Sequence, residues 1–318
     1  MKKIFSFLLL LTTTFSFIAA QTIEEQEREL FKKYQVKERI SYDFPYKDGV
    51  MEKQGVKTSM SKYNRSGLVV MTFTFNAKGD TTVKEYYGYD ARGNRVLYER
   101  YSVSGEYKKT SEYDMVDNII LEAGYDGSAS FKTVYTYEKG GKVMEIKYYV
   151  DNLLDEKRVY SYSGKNANVS VLHKGKDPKS TIQLIFDDKG QILKETTLGL
   201  DGTELERRVL QYNAKGQVLL EEKYRLGKLN NRLEYIYNAN GDLIKLSEDT
   251  GANDKYDKKL YEYDTQGRVS VYKWKRKTET DYNLKKYTYG SSGVCVEEYT
   301  NYPKTNYKLM TRYEYTFY

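Results

Sequence analysis

The chain holds one histidine, His173, and one cysteine, Cys295, among 318 residues, so nucleophilic or general-base chemistry has one candidate of each kind. His173 lies in VLHKGKDP, a polar stretch, and reads as an exposed turn residue. Cys295 fills a slot held by Val, Ile or Leu elsewhere, which makes it a buried structural thiol. Paired carboxylates could hydrolyse a glycoside, but the acids that recur in register, Asp90 and Asp264 among them, each open a turn. Asp187 with Asp188, and Asp201 with Glu204, lack the loop spacing that collects six or more oxygens around calcium. No catalytic residue, metal site or cofactor is assigned.

Two features suit binding better. Lys273, Lys275, Arg276 and Lys277 surround Trp274, the sole indole, and such a basic-aromatic cluster can stack on bases and contact phosphates. Its setting favours a basic strand end facing an acidic glycan, a lipid headgroup or solvent, and not a nucleic acid. The second feature is tyrosine, 35 residues of it. Spaced two apart on strands, pairs such as Tyr235/Tyr237, Tyr261/Tyr263 and Tyr287/Tyr289 share one sheet face. A ladder of this kind is a sheet core built from cross-strand aromatic pairs or, if exposed, a stacking surface for sugars or a peptide.

What positions these residues is a repeat. Anchored on one aromatic per unit (Tyr63, Tyr89, Tyr113, Tyr137, Tyr162, Phe186, Tyr212, Tyr237, Tyr263, Tyr289, Tyr315), the phrase recurs every 24 to 26 residues. Asp or Asn follows the anchor in the clearest units, with Gly three places on, as in Asp264/Gly267. That is type I turn chemistry leading into a bulge. Asp117 and Asn166 stand where two units lack Gly, and both residue types tolerate the left-handed region. Two places beyond the glycine lies an aliphatic slot (Val69, Ile119, Val143, Ile192, Val218, Leu243, Val269). A second turn halfway along most units gives two antiparallel strands per unit. The expected fold is all-β: a meander of about twenty strands in a long twisted or spiralling sheet, roughly 95 Å if open.

YGYDARGNRVLYERY, YIYNANGDLIKL and YEYDTQGRVSVYKW resemble the YD repeats of the RHS family, with their Y-x-Y-D-x-x-G-R-L phrase. The resemblance covers most of residues 63–318 and fades in SEYDMVDNII and YSYSGKNANV. RHS and teneurin-like proteins wind such units into a continuous spiral sheet, in large members a shell around a toxin. The resemblance implies strand-turn architecture and a secreted or surface setting; encapsulation is not carried over. A weaker similarity is to the aromatic-glycine repeats of choline- and glucan-binding modules.

Residues 1–20 read as a signal peptide: Lys2 and Lys3, an apolar run, then small residues to Ala20. Losing both lysines takes the net charge from +7 to +5, and the signs interleave as on a solvated surface. Residues 21–40 read as a helix and linker, opened by a Thr22/Glu25 capping box and running to about Arg39, lying as a lid over the first strands. Residues 41–318 are the repeat array. The expected function is an exported non-enzymatic scaffold, extended and envelope-associated, whose partner is a cell-surface glycan or an envelope protein. The alternative is a carbohydrate-binding module using Tyr235, Tyr237, Tyr261, Tyr263, Trp274, Tyr287 and Tyr289. An outer-membrane barrel or a toxin-shell fragment ranks lower. Glu99, Arg100, Lys147 and Glu222 fall mid-strand, where a barrel needs an apolar outward band. No transmembrane helix is expected.

Overall fold

The computed structural model describes residues 23–250 and 255–318, with side chains from residue 26 onward. Residues 1–20, read above as a signal peptide, and Thr22 of the expected capping box lie outside the described residues. The all-β expectation with one short helix holds, but the sheet is not an open spiral. The first strand, Val36–Lys47, pairs antiparallel with Val56–Tyr63 on one side and with the last strand, Tyr307–Phe317, on the other. Every strand between them pairs with its sequence neighbours, so 22 antiparallel strands close into a barrel, and Val50–Met51 only hooks onto Tyr46 and Lys47. At about 4.8 Å per strand the wall measures roughly 105 Å around. Closure replaces the extended scaffold of the sequence-based expectation and leaves no bare edge for a lid to cover.

The turn chemistry forms one rim. Asp264 Oδ1 accepts the backbone N–H groups of Gln266 and Arg268 at 2.9 Å, and Gly267 takes φ +77°. Asn64, Asp90, Asp114 and Asp187 repeat the pattern. Asp117 does adopt the left-handed region, at φ 66°. Asn166 does not: it pairs with Ser163 as the first residue of its strand, and Gly164 supplies the positive φ of a tighter turn. In nine units the strand register shifts by one residue at the anchor aromatic, the bulge that this turn produces.

The helix, Ile23–Lys33, stops six residues short of Arg39, because Val36 already belongs to the first strand. It docks at the turn rim beside the seam. Phe31 is buried with Val36, Tyr63 and Val294, and its ring meets Tyr63 edge-on at 4.7 Å. Gln26 Nε2 donates to the Gly267 carbonyl, and Glu27 pairs with Arg39 at 3.1 Å. The Arg39 guanidinium in turn lies against the Phe31 and Tyr313 rings. A second apolar cluster, Ile146, Tyr160, Ala167, Val169, Val171, Ile182 and Leu184, lies on the inner face of four consecutive strands.

Candidate functional site: the barrel lumen

Strand alternation fixes which residues face inward. The anchor tyrosines and the tyrosines two places earlier all do so, and the anchors lose their hydroxyls to structure. The hydroxyls of Tyr89, Tyr113, Tyr137 and Tyr162 donate to the carbonyls of Val69, Arg95, Ile119 and Val143. Those of Tyr212, Tyr237, Tyr263, Tyr289 and Tyr315 donate to Ile192, Val218, Leu243, Val269 and Cys295, all within 2.6–3.2 Å across the nine bonds. Each acceptor is the slot residue of the strand alongside, placed where the bulge interrupts the ladder. The tyrosine therefore satisfies a carbonyl that the sheet leaves over. Phe186 is the one anchor without a hydroxyl, and it packs against the apolar cluster instead. Tyr318 completes the circle by donating to the carbonyl of Tyr63 at 2.6 Å. Burial pushes the phenols of Tyr237 and Tyr263 up to about 12.

Two of the earlier tyrosines engage carboxylates. Tyr235 donates to Glu221 at 3.4 Å, and Tyr135 to Glu122 at 2.9 Å. Tyr261, Tyr272 and Trp274 stack at 4.9 Å steps toward the half-unit rim, where Tyr302 and the exposed Tyr307 continue the series. Tyr287 faces Glu298 in register. The seven aromatic candidates are thus on one face, and that face is the interior.

The basic cluster is dispersed. Lys273 points to the outer face and pairs with Glu262 at 2.7 Å. Lys275 lies over the Tyr282 ring, Arg276 is exposed, and Lys277 donates to Thr250 Oγ1. Trp274, on the inward face, is separated from its basic neighbours by alternation. His173 is exposed at a strand end that borders the lumen, and Cys295 is buried, its thiol pushed up to about 12 by burial and by Glu27.

Sequence inspection missed the lumen's charged set. A basic residue four places before the anchor and a glutamate three places beyond the slot form a diagonal pair in three units: Lys109 with Glu122, Arg208 with Glu221, and Lys285 with Glu298, at 2.6–2.8 Å. Burial opposes charge on Glu221, yet Arg208 and Lys223 hold its carboxyl below the usual range. Read in register the signal is present in the sequence; without the register these acids look like surface charges. Lys109, Glu122 and Arg208 line, with Ile146, Tyr160, Val169, Ile182 and Leu184 of the apolar cluster, a cavity of about 1700 Å³ that reaches from Asp117 and Gly190 at the turn rim to Asp155 and His173 at the other.

The outer wall differs. Glu99, Lys147 and Glu222 face outward at mid-strand, and Lys108–Glu99, Lys147–Glu145 and Arg232–Glu222 pair across it. Arg100, expected among these outward charges, lies on the inward face, near Glu85.

No family model matches the chain. It is 27% identical over 232 residues to the tRNA3(Ser)-specific nuclease WapA of Bacillus spizizenii, a match that covers 62% of this chain and 9% of that protein. The tRNA nuclease WapA of Bacillus subtilis matches at the same identity and coverage. The chain thus spans about a tenth of the length of these curated relatives. Among solved structures, a TcdB2-TccC3-Cdc42 complex superposes with a TM-score of 0.36 at 12% identity, covering 80% of this chain and 14% of that one. A porin-like protein from Bacteroides uniformis superposes with a TM-score of 0.30 at 9% identity, covering 88% and 98%. Each of these structural likenesses is at low score, and the closed ring is established by the chain's own strand pairing.

Proposed function

We propose that this protein is an exported, non-enzymatic barrel of the cell envelope or exterior that works by binding a polar ligand in its lumen. The observation that carries this is the division of chemistry between the two faces. The outer wall is crossed at mid-strand by ion pairs that lipid would not solvate. The inner wall gathers aromatics, carboxylates and cations around a cavity larger than the roughly 300–1,000 Å³ that accommodates a small molecule. A binding role fits the placement of the reactive residues, since His173 borders a rim while Cys295 is enclosed in the wall near the helix.

The test is fractionation of the full chain after export. The expected result is recovery in the soluble fraction, or release from the envelope by alkaline carbonate. A second reading, the outer-membrane barrel, draws on one specific observation: closure of an even number of antiparallel strands, 22, around a polar lumen. Carbonate-resistant sedimentation with membranes would establish that reading and overturn the water-facing wall.

A further inference from the structure

The diagonal pairing made in three units is left half-made in two consecutive units beside the apolar cluster. In the unit anchored by Phe186 the glutamate is present as Glu195, but the position four before the anchor is Ile182 in place of Lys or Arg. One unit earlier the reverse holds: Arg158 occupies the basic position, and the strand beside it presents Val169 and Val171 where a glutamate would serve. Arg158 turns to Glu156, using its Nε at 2.8 Å, and Glu195 has no ion-pair or hydrogen-bond partner among the described residues. Cross-strand from Glu195 stands Arg208, whose Nε is held at 2.8 Å by Glu221. Between Arg158 and Glu195, Tyr160 is 9% exposed, and its hydroxyl is buried with no partner. Arg158 stands nearby without reaching hydrogen-bond geometry. All four residues border the cavity, beside Val169, Ile182 and Leu184.

We propose that Arg158, Tyr160, Glu195 and Arg208 form a saccharide-binding site that takes a neutral, polyhydroxylated ligand against Ile182 and Leu184. The site rests on the lumen-binding reading, and the ligand class follows from what is unsatisfied. Both guanidinium groups have terminal N–H donors free of protein partners among the described residues, Glu195 offers only acceptors when ionised, and Tyr160 can do either. A simple anion would satisfy the two arginines and leave Glu195 facing a like charge. A polyol donates and accepts at adjacent hydroxyls and lays its C–H face on the apolar wall, so it meets every unpartnered group at once. Burial raises the Glu195 carboxyl above its ordinary range even with Arg208 and Arg158 near, in keeping with a group that lacks a direct partner.

The experiment is calorimetric titration of the full-length mature barrel with maltotriose, cellotriose, xylotriose and chitotriose, and with trigalacturonate as the anionic comparison. Binding of at least one neutral trisaccharide at one per barrel is expected. Tyr160→Phe and Glu195→Gln should each weaken it by about 5- to 10-fold, the loss of one hydrogen bond. Tyr160→Phe should leave the melting temperature of the ligand-free barrel unchanged or raised, because it removes an orphaned hydroxyl; a purely structural tyrosine would lower it. Absence of binding by all four neutral sugars, preference for trigalacturonate, or neutral-sugar binding undiminished in both variants would each overturn the site. Those outcomes are separate from membrane fractionation, which addresses the lumen-binding reading itself.

Discussion

Replacing Tyr237 by Phe removes one atom from the barrel and tests why the anchor is tyrosine. Its hydroxyl donates to the Val218 carbonyl at 2.9 Å, and register at that point skips one residue, so the carbonyl has no ladder partner to fall back on. A hydrogen bond of this kind contributes about 1 kcal/mol net, and the orphaned carbonyl keeps part of its desolvation cost. Tyr237→Phe should therefore lower stability by roughly 1–1.5 kcal/mol and the melting temperature by about 2 °C for a chain of this length. Nine such bonds recur around the rim. Removing three together, at Tyr212, Tyr237 and Tyr263, should cost about 3–4 kcal/mol, a large share of ordinary domain stability. Phe186 provides the internal control: Phe186→Tyr adds a hydroxyl inside an apolar cluster and should destabilise, not stabilise. Denaturant midpoints at constant m-value are the assay. A neutral triple variant would refute the reasoning, because it would mean that water serves these carbonyls equally well.

Three other perturbations address the rest of the framework. At alkaline pH the inward phenols favour the folded state as long as they stay protonated. Tyr237 and Tyr263, at about 12 in the barrel against 10.0 when free, give stability that is intact below pH 10 and lost as pH rises to 12; phenolate absorbance should rise together with loss of sheet signal, and early independent titration of the tyrosines would contradict this. Deleting residues 307–318 removes the closing strand and exposes the edges of Val36–Lys47 and Cys295–Tyr302, so light scattering should show association in place of a monomer. Gly67→Ala and Gly190→Ala share a positive φ, at +73° and +78°, but a methyl at Gly67 would stand 2.4 Å from the Arg28 carbonyl while one at Gly190 meets nothing. Gly190→Ala should cost about 1 kcal/mol; Gly67→Ala should cost more and raise amide exchange in residues 23–33, and equal costs would mean that the helix does not press on that turn.

Sequence pattern makes the strands and turns legible because each has a local cause. The Asp264 side chain caps its own turn and Gly267 supplies the backbone, so spacing alone places them. Asn166 shows the limit: a tolerant residue at the right count does not force the left-handed region when Gly164, two places earlier, closes a tighter hairpin. The charged lumen lay beyond spacing for another reason. Glu122 and Glu99 have similar neighbours along the chain, yet one faces inward to Lys109 and the other outward to Lys108. Only the bulge at each anchor, which shifts the phase of alternation by one, decides which acid points where.

Closure itself is not a property of the repeated phrase. An array of identical hairpins can spiral indefinitely, since every unit presents the same edges to its neighbours. What stops this one is carried by the first and last long strands. Val36–Lys47 is 12 residues long and precedes the first anchor; Tyr307–Phe317 is 11 and is followed by Tyr318. They match over nine paired positions from Val36/Phe317 to Pro45/Leu309. The turn-rim end of that seam is then fastened by two further contacts. Arg39 binds Glu27 of the helix between two aromatic rings, and the Tyr318 hydroxyl donates to the carbonyl of Tyr63. The wall is therefore the work of the repeat, whereas the enclosed lumen, and any binding inside it, depends on the seam between the first and last long strands.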